Sequence, residues 1–438
     1  MRWSLATRRP SLPVEEVLAP RAPAPAMSML ALAFTVVIVM GAFFAIDHDY
    51  HTSVHEAYTS TAAEFEKMVT GGNLLRRFAF FGIAGVGLLF LAVSPHARWS
   101  PGLLSNCIAI TALWAASTWL WSIDPEMTQR RLIVLGCVLI GAYGIGRSFS
   151  PRDLCRLGVA AGLASLAVGL FAEFSLGSFK PWSGEYRFAG TLHPNTQAMY
   201  LAVLTLSSFC LARSGEAGSS KYWLTFLLAL GFLVLTRSRT ATAAALLGVA
   251  AAGTLQASWS SRIAVILGTV FIGALILLGV LASGVDLQRE MQQAVLLGRE
   301  EQSESLTGRL PIWMEVSDHI ATRPFQGHGY DTFWTPDNID IVSTRVQWGL
   351  RESHNAYLEL TLSLGLVGLG LVLSCVLLGI VRAVAQFQAT GDAAYGLMAG
   401  LFIFGLSNGL LESGMIFPQW PAFIALCGLM HLTRSGAE

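Results

Sequence analysis

Apolar runs of about 20 residues recur along most of this 438-residue chain, and they constrain its fold more than any other feature. A helix of that length crosses the ~30 Å hydrocarbon core of a bilayer. Because lipid offers no hydrogen-bond partners to the backbone, such runs must satisfy their own polar groups as helices. The composition agrees, since 53% of the residues are hydrophobic and only 13% are charged. The sequence therefore predicts an all-α, polytopic membrane protein.

Twelve apolar stretches are long enough, or nearly so, to span the membrane. An even number of spans places both termini on the same side. The stretches lie near residues 28–46, 78–94, 102–121, 132–146, 157–176, 197–212, 222–236, 240–255, 263–283, 355–381, 393–411 and 416–432. We predict about 12 transmembrane helices, with one large loop between helices 9 and 10.

This pattern divides the chain into four parts. Residues 1–26, rich in Pro and Ala, are predicted to form a disordered cytoplasmic tail. Residues 27–283 hold transmembrane helices 1–9 with short loops, and residues 284–354 form the large polar loop. Residues 355–438 hold helices 10–12 and a short cytoplasmic tail.

Basic residues in the short loops set the orientation, because they favour the cytoplasmic side. With the N-terminus inside, the inner segments hold thirteen basic residues and the short outer loops nine. This modest bias places the large loop on the outer face. The formal net charge is zero, with 28 basic and 28 acidic residues, so we expect no nucleic-acid partner.

Two arginine-bearing turns stand out on the predicted outer face. Arg187 to Asn195 combines an arginine and an amide near the start of the sixth span, and Arg237 and Arg239 lie in a five-residue connection between the seventh and eighth. The planar guanidinium binds phosphate oxygens bidentately, so these turns suit an anionic headgroup. The alternatives are an ordinary Gly/Pro turn with a snorkelling arginine, and arginines that only anchor helix ends.

The large loop and the span after it carry the other candidates. Thr307 is predicted to cap a helix that runs through Arg309, Trp313 and Ile320 and ends before Pro324. His354 lies in the first turn of the tenth span, where it is either a general base or a boundary residue bonded to the loop.

The sequence gives little sign of metal or nucleotide chemistry. His48, His51 and His55 share a helical face, but a metal site there lacks a defined fourth ligand. The chain has no phosphate-cradling Gly-rich loop and no nucleophile elbow. We therefore predict no metal and no cofactor.

In this order, the outer-face motifs resemble those of the O-antigen ligase and polymerase superfamily of polysaccharide assembly. The residues that carry the resemblance are Arg187 to Asn195, Ser238-Arg239-Thr240, Gly308-Arg309 with Trp313, Gly327 to Tyr330, and His354 to Glu359 running into Leu364 to Gly368. The single large outer loop fits as well.

The resemblance implies a metal-independent glycosyltransferase in the bacterial inner membrane, with its active face in the periplasm. Its donor would be a glycan on an undecaprenyl diphosphate carrier. Its acceptor would be a glycan or glycolipid hydroxyl, either the lipid A core for a ligase or a growing polysaccharide for a polymerase. The remaining partner would be membrane lipid.

The resemblance also assigns roles to individual residues. His354 would orient or deprotonate the acceptor hydroxyl, and Arg309 would act beside it as a second catalytic residue. Arg187, Arg239, Arg237 and Asn195 would bind the diphosphate. This assignment requires Arg187, Arg239, Arg309 and His354 to face one pocket.

Two rival functions stay open at this stage, and so does the choice between two activities within the family. The chain could be a transporter or flippase of lipid-linked glycans, although ionisable residues at the membrane midplane are scarce and Glu173 and Glu412 lie near span ends. It could also be a non-catalytic scaffold of polysaccharide assembly. The choice between ligase and polymerase is likewise open.

Overall fold

The computed structural model describes residues 28–47, 74–93, 101–216, 218–255, 304–346 and 349–434. These residues form thirteen α-helices and one short 3-10 turn, Thr118–Leu120, and they include no strand. The helices are α1 (Met29–Asp47), α2 (Leu74–Val93), α3 (Leu103–Ser117), α4 (Pro125–Ser148), α5 (Pro151–Ser175), α6 (Pro194–Ala212), α7 (Ser220–Leu235), α8 (Arg239–Leu255), α9 (Glu304–Thr322), α10 (Pro336–Val346), α11 (Ala356–Thr390), α12 (Tyr395–Asn408) and α13 (Trp420–Leu432).

Many of these helices have lipid-facing surfaces. Six of them, α1 to α5 and α11, are long and apolar enough to cross a membrane, and α7, α8, α12 and α13 are shorter apolar helices. Large apolar side chains point outward, including Phe78 (71% exposed), Phe171 (75%) and Leu224 (73%). Exposed apolar surface on this scale is unfavourable in water and favourable in lipid. The described residues thus have the architecture of a polytopic membrane protein, as predicted.

Helices lie at eleven of the twelve predicted spans. The ninth predicted span, 263–283, falls outside the described residues, as do residues 1–26 and the histidine cluster at 48–55. The number of spans and the full extent of the large loop stay predictions. Helix α11 runs nine residues beyond the predicted span because the first left-handed C-cap is Gly391, with φ 68°.

Close helix packing forms the centre of the molecule. Nearly every side chain of α6 is buried, and α5, α7 and α8 pack around it. Helices α2 and α4 cross at Gly87 and Gly144, where a Cβ atom on Gly144 would lie 2.1 Å from the Gly87 carbonyl oxygen. Small residues let membrane helices approach this closely.

The connections lie on two opposite faces. On the face predicted to be cytoplasmic, Arg152 pairs with Asp392 and Glu216 at 2.9 Å each, and Arg156 also pairs with Glu216. This network joins the start of α5, the turn after α6 and the turn between α11 and α12. The opposite face carries the described part of the large loop and all four candidate motifs.

The described part of the large loop is folded. Helices α9 and α10 share a small core with the start of α11, formed by Ile312, Val316, Phe333, Trp334, Ile339, Val342, Leu350 and Leu362. The predicted helix through Trp313 and Ile320 is confirmed, and it ends at Thr322, ahead of Pro324. The prediction that Thr307 caps it is wrong, because the helix already includes Glu304.

Helix α11 is broken at Gly365, whose φ of 69° and ψ of −178° are not helical. The loop before α10 fills the break with backbone hydrogen bonds. The N–H of His328 donates to the Leu362 carbonyl (2.7 Å), that of Gly329 to Ser363 (3.1 Å), and that of Leu366 to Pro324 (2.8 Å). Glycine is needed at Gly327 in the loop and at Gly365 in α11 because the two backbones touch there.

Replacing Gly365 with Ala should destabilise the protein and release this loop. Its backbone lies in a region open almost only to glycine, at a cost of roughly 1–3 kcal/mol for other residues. A Cβ atom would also lie 2.1 Å from the Phe325 carbonyl oxygen. We expect a lower midpoint of thermal unfolding in detergent and faster proteolysis near residues 324–330.

Gly370→Ala is the matched control, because nothing lies within 4 Å of a Cβ atom at that position in the same helix. It should unfold at the wild-type temperature or above. Equal midpoints for the two variants would show that the break does not need glycine.

Candidate functional site

A buried carboxylate, that of Glu412, joins candidate residues from distant parts of the sequence. Glu412 lies between α12 and α13 and is 9% exposed. Its Oε1 accepts hydrogen bonds from Asn195 Nδ2 (2.8 Å) and Arg309 Nη2 (3.2 Å), and its Oε2 lies 3.9 Å from His354 Nδ1. We refer to these four residues, together with Arg187, as the Glu412 cluster.

Arg187 enters the cluster through Asn195. Its Nη2 donates to Asn195 Oδ1 (3.0 Å), and its Nε donates to the carbonyl of Thr236 (3.0 Å). Asn195 therefore lies between Arg187 and Glu412 and bonds to both. The guanidinium also ties the loop before α6 to the turn between α7 and α8.

A second buried glutamate holds the Arg187 loop in place. Glu173 lies near the end of α5 and is 2% exposed. Its Oε1 accepts from the backbone N–H groups of Ala189 and Gly190 at 2.9 Å each, and its Oε2 accepts from the Tyr186 hydroxyl. Buried N–H groups need such acceptors, so the carboxylate fixes the backbone just after Arg187 and the side chain of Tyr186 just before it.

The His354 motif is built from the start of α11. Asn355 is the N-cap, since its Oδ1 accepts from the N–H groups of Tyr357 (2.9 Å) and Leu358 (3.1 Å). Its Nδ2 donates to the Leu410 carbonyl (3.1 Å), and the Ala356 N–H donates to the Gly409 carbonyl (2.8 Å). These contacts join α11 to the end of α12 and bring His354 beside Glu412.

A third buried glutamate, Glu359, holds the segment that carries His354. Its carboxylate accepts from Trp334 Nε1 (3.0 Å) and from the Ser353 N–H. Trp313 Nε1 donates to the Ser353 carbonyl (3.0 Å). His354 itself has φ 53°, a left-handed conformation that non-glycine residues adopt rarely. The surrounding hydrogen bonds impose this conformation, which is typical of functional sites.

The charged groups of the cluster favour one another's charged forms. Burial opposes the charged form of Glu412, yet the nearby His354 and the charge of Arg309 hold the pKa of Glu412 below its usual range. Burial likewise opposes protonation of His354, but Glu352, whose Oε1 lies 3.6 Å from His354 Nδ1, and Glu412 raise the pKa of His354. Two carboxylates therefore face one imidazole nitrogen.

His193 is a second histidine at the cluster. It is the N-cap of α6, and its Nδ1 accepts from the Asn195 N–H at 3.3 Å. Desolvation by the surrounding protein and the charge of Arg187 lower the pKa of His193 to about 4. His193 is therefore neutral at pH 7. Arg351 is also close enough to contribute to this shift.

The structure places the remaining predicted residues at a neighbouring turn. Arg239 begins α8, three residues after Thr236, whose carbonyl Arg187 binds. Arg237 is exposed, has φ 53°, and donates to the Gly184 carbonyl in the adjacent loop. The described contacts thus bring Arg187, Asn195, Arg309 and His354 together at Glu412, and Arg237 contacts the loop that leads to Arg187.

Sequence reasoning missed the carboxylates of the site. Glu412, Glu352 and Glu173 were not candidates, and Arg351 was not singled out. One signal was available for Glu173 and Glu412. Carboxylates at the outer ends of apolar helices are rare enough in a chain with 13% charged residues to mark a function by themselves.

The family model described as O-antigen ligase matches residues 224–373, about a third of the sequence. The matched segment includes Arg237, Arg239, Arg309 and His354, while Arg187, Asn195 and Glu412 lie outside it. No curated protein matches the chain. Residues 224–373 are therefore similar to the O-antigen ligase family, which confirms the predicted resemblance of this chain to the O-antigen ligase and polymerase superfamily.

Proposed function

We propose that the protein transfers a glycan from an undecaprenyl diphosphate carrier to an acceptor hydroxyl, on the periplasmic face of the bacterial inner membrane. The family match supports a role of this type in polysaccharide assembly. The observation that carries the proposal is the convergence of Arg187, Asn195, Arg309 and His354 at one buried carboxylate. These residues lie on the face that also carries the large loop.

Arginines supply the charge that the departing diphosphate needs. As the glycosidic C–O bond breaks, its electron pair passes to the diphosphate oxygen. Guanidinium groups held in place before the reaction stabilise that developing charge. Thr236 and Asn195 hold the guanidinium of Arg187 in this way. Leu411 and Glu412 hold that of Arg309. Arg239 and Arg237, at the neighbouring turn, would extend the diphosphate site.

His354 would act as the general base. Its Nδ1 faces the carboxylates of Glu352 and Glu412, which favour a proton on that nitrogen. With a proton on Nδ1, the lone pair of Nε2 would accept the proton of the acceptor hydroxyl. The acceptor oxygen attacks the anomeric carbon as the bond to diphosphate breaks. Glu412 is a positioning residue in this mechanism, since it orients His354 and Arg309.

The break in α11 bears on the transporter alternative. Transporters use broken helices to expose backbone groups to a substrate at the membrane midplane. Here the freed carbonyls of Leu362 and Ser363 accept hydrogen bonds from the loop backbone instead. This arrangement favours a fixed loop over a substrate site, and therefore an enzyme over a transporter.

Replacing either proposed catalytic residue should abolish transfer while the protein still folds. His354→Ala removes the base, and Arg309→Ala removes a charge that is worth several kcal/mol in the transition state, so we expect at least a ~100-fold loss of kcat. The measurement is transfer from a diphosphate-linked lipid by the purified protein in detergent.

Arg345→Ala is the matched control, because Arg345 lies in the same loop with its side chain 60% exposed and pairs only with Glu315 among the described contacts. It should keep full activity. Wild-type rates in His354→Ala or Arg309→Ala would contradict the assignment and favour a transporter or a scaffold.

The pH profile of transfer should depend on Glu352. Transfer needs neutral His354, so activity falls as the pH drops through the pKa of His354. Glu352 raises that pKa. In Glu352→Gln the pKa should be lower, and the acid limb of kcat should move to lower pH. The exposed Glu185→Gln serves as the control, and an acid limb that is the same in both variants would refute the role of His354 as base.

Transfer should also proceed without a metal ion. Arginines neutralise the diphosphate in this mechanism, so a chelator should leave kcat unchanged. Loss of activity with chelator and recovery with zinc would instead implicate His48, His51 and His55, which lie outside the described residues.

A further inference from the structure

A cavity lies on the same face as the Glu412 cluster and shares no residue with the cluster. Its volume is about 720 Å³, within the range of small-molecule sites. Three segments form its walls: the turn before α4, the end of α9, and the stretch that leads into α10. The lining residues with most to offer a ligand are Asp124, His319, Arg323, Phe333, Asp337 and Asn338.

Helix α9 sets the distance between the cavity and the Glu412 cluster. Arg309 lies in its first half, and His319, ten residues further along, lines the cavity. At 1.5 Å per residue the two positions are about 15 Å apart. A chain of several linked sugar rings can cover that distance, whereas one diphosphate cannot.

The chemistry of the cavity differs from that of the cluster. Its carboxylates are Asp124 and Asp337, and Arg323 is its one arginine. Burial lowers the pKa of His328, so this histidine is neutral at pH 7. The lining therefore has no excess of positive charge for a phosphate. The cavity also has apolar surface of the kind that packs against the C–H faces of sugars, from Ile123, Pro125 and Pro336.

Backbone contacts hold three polar side chains of the lining in position. Asp124 accepts from the Met127 N–H (2.9 Å), Arg323 donates to the Trp121 carbonyl (2.8 Å), and Asn338 donates to the Phe333 carbonyl (2.7 Å). Each contact uses only part of the hydrogen-bonding capacity of its side chain. The remaining donors and acceptors suit hydroxyl groups, each of which can both donate and accept.

Contacts between the large loop and the turn before α4 keep the cavity open. The Ile123 N–H donates to the His328 carbonyl (3.0 Å), the hydroxyls of Thr128 and Thr332 lie 2.6 Å apart, and Arg131 pairs with Asp331. A binding site that is formed in advance loses less entropy when it is filled.

We propose that this cavity is a glycan subsite, which binds uncharged sugar residues about 15 Å along helix α9 from Arg309. The inference rests on the proposed glycosyl transfer for its ligand. The bound sugars belong to the donor glycan or to the acceptor glycan. Both offer the same hydroxyl-rich chemistry, and the kinetics of the variants below distinguish them.

Two variants test the subsite. Thr322→Trp would fill the cavity from its exposed mouth, and Asp337→Ala removes a carboxylate that makes no described contact within the protein. The probe is the repeat-unit glycan released from the lipid-linked donor by mild acid, titrated into the purified protein. We expect binding about tenfold weaker in Thr322→Trp, equivalent to ~1.4 kcal/mol, and a smaller loss in Asp337→Ala.

The matched controls are Ser317→Trp on α9 and Asp340→Ala on α10, both at exposed positions outside the cavity. They should bind the glycan as the wild type does. Undecaprenyl diphosphate without a glycan should bind equally to all four variants, because its site is the Glu412 cluster. Thermal unfolding midpoints that match between Thr322→Trp and Ser317→Trp show that the cavity variant folds.

The kinetics identify the substrate that occupies the cavity. In the cavity variants the KM of that substrate, donor or acceptor, should rise while kcat stays unchanged, because only uniform binding is lost. His354→Ala should bind the released glycan as the wild type does, whether or not this variant still transfers glycan. Failure of the catalytic assignment can therefore be distinguished from failure of the subsite. No glycan binding by the wild type, or equal binding by Thr322→Trp and Ser317→Trp, would overturn the subsite.

Discussion

The ion pairs and hydrogen bonds of Glu412 are the interactions on which the candidate site depends. A buried carboxylate is unfavourable unless charged or polar partners surround it, and removing one partner of a buried pair costs about 3–5 kcal/mol. Glu412 has three such partners, from the start of α6, from α9 and from the start of α11. It therefore holds a membrane helix, the large loop and the His354 motif in one arrangement.

Two further glutamates act on the backbone in a similar way. Glu173 accepts from the loop that carries Arg187, and Glu359 accepts from the segment that carries His354. All three carboxylates are buried near a helix end, and each fixes a segment that holds a positively charged or basic side chain. The cationic side chains are thus preorganised, which electrostatic stabilisation of a departing diphosphate requires.

The sequence was sufficient for the helices and for the cationic part of the site. Hydropathy located the described spans because lipid leaves the backbone no alternative to helix. Arg187 and His354 were recognisable because such residues are unusual at the outer ends of apolar helices, and Arg309 was recognisable through the resemblance of its motif to a known family. The carboxylates that hold these residues were not recognisable, because the choice of Glu412 over Glu173 or Glu359 depends on contacts across more than 100 residues of sequence. The break at Gly365 was hidden for the same reason, since it is stabilised by a distant loop.

The most direct test of the proposed diphosphate site is a structure of the protein with undecaprenyl diphosphate bound. We expect phosphate oxygens within hydrogen-bond distance of the guanidinium groups of Arg187 and Arg309, with His354 facing the position of the anomeric carbon and Glu412 still bonded to Arg309. A diphosphate bound elsewhere, with the Glu412 cluster unchanged and remote from it, would show that the cluster is not the diphosphate site.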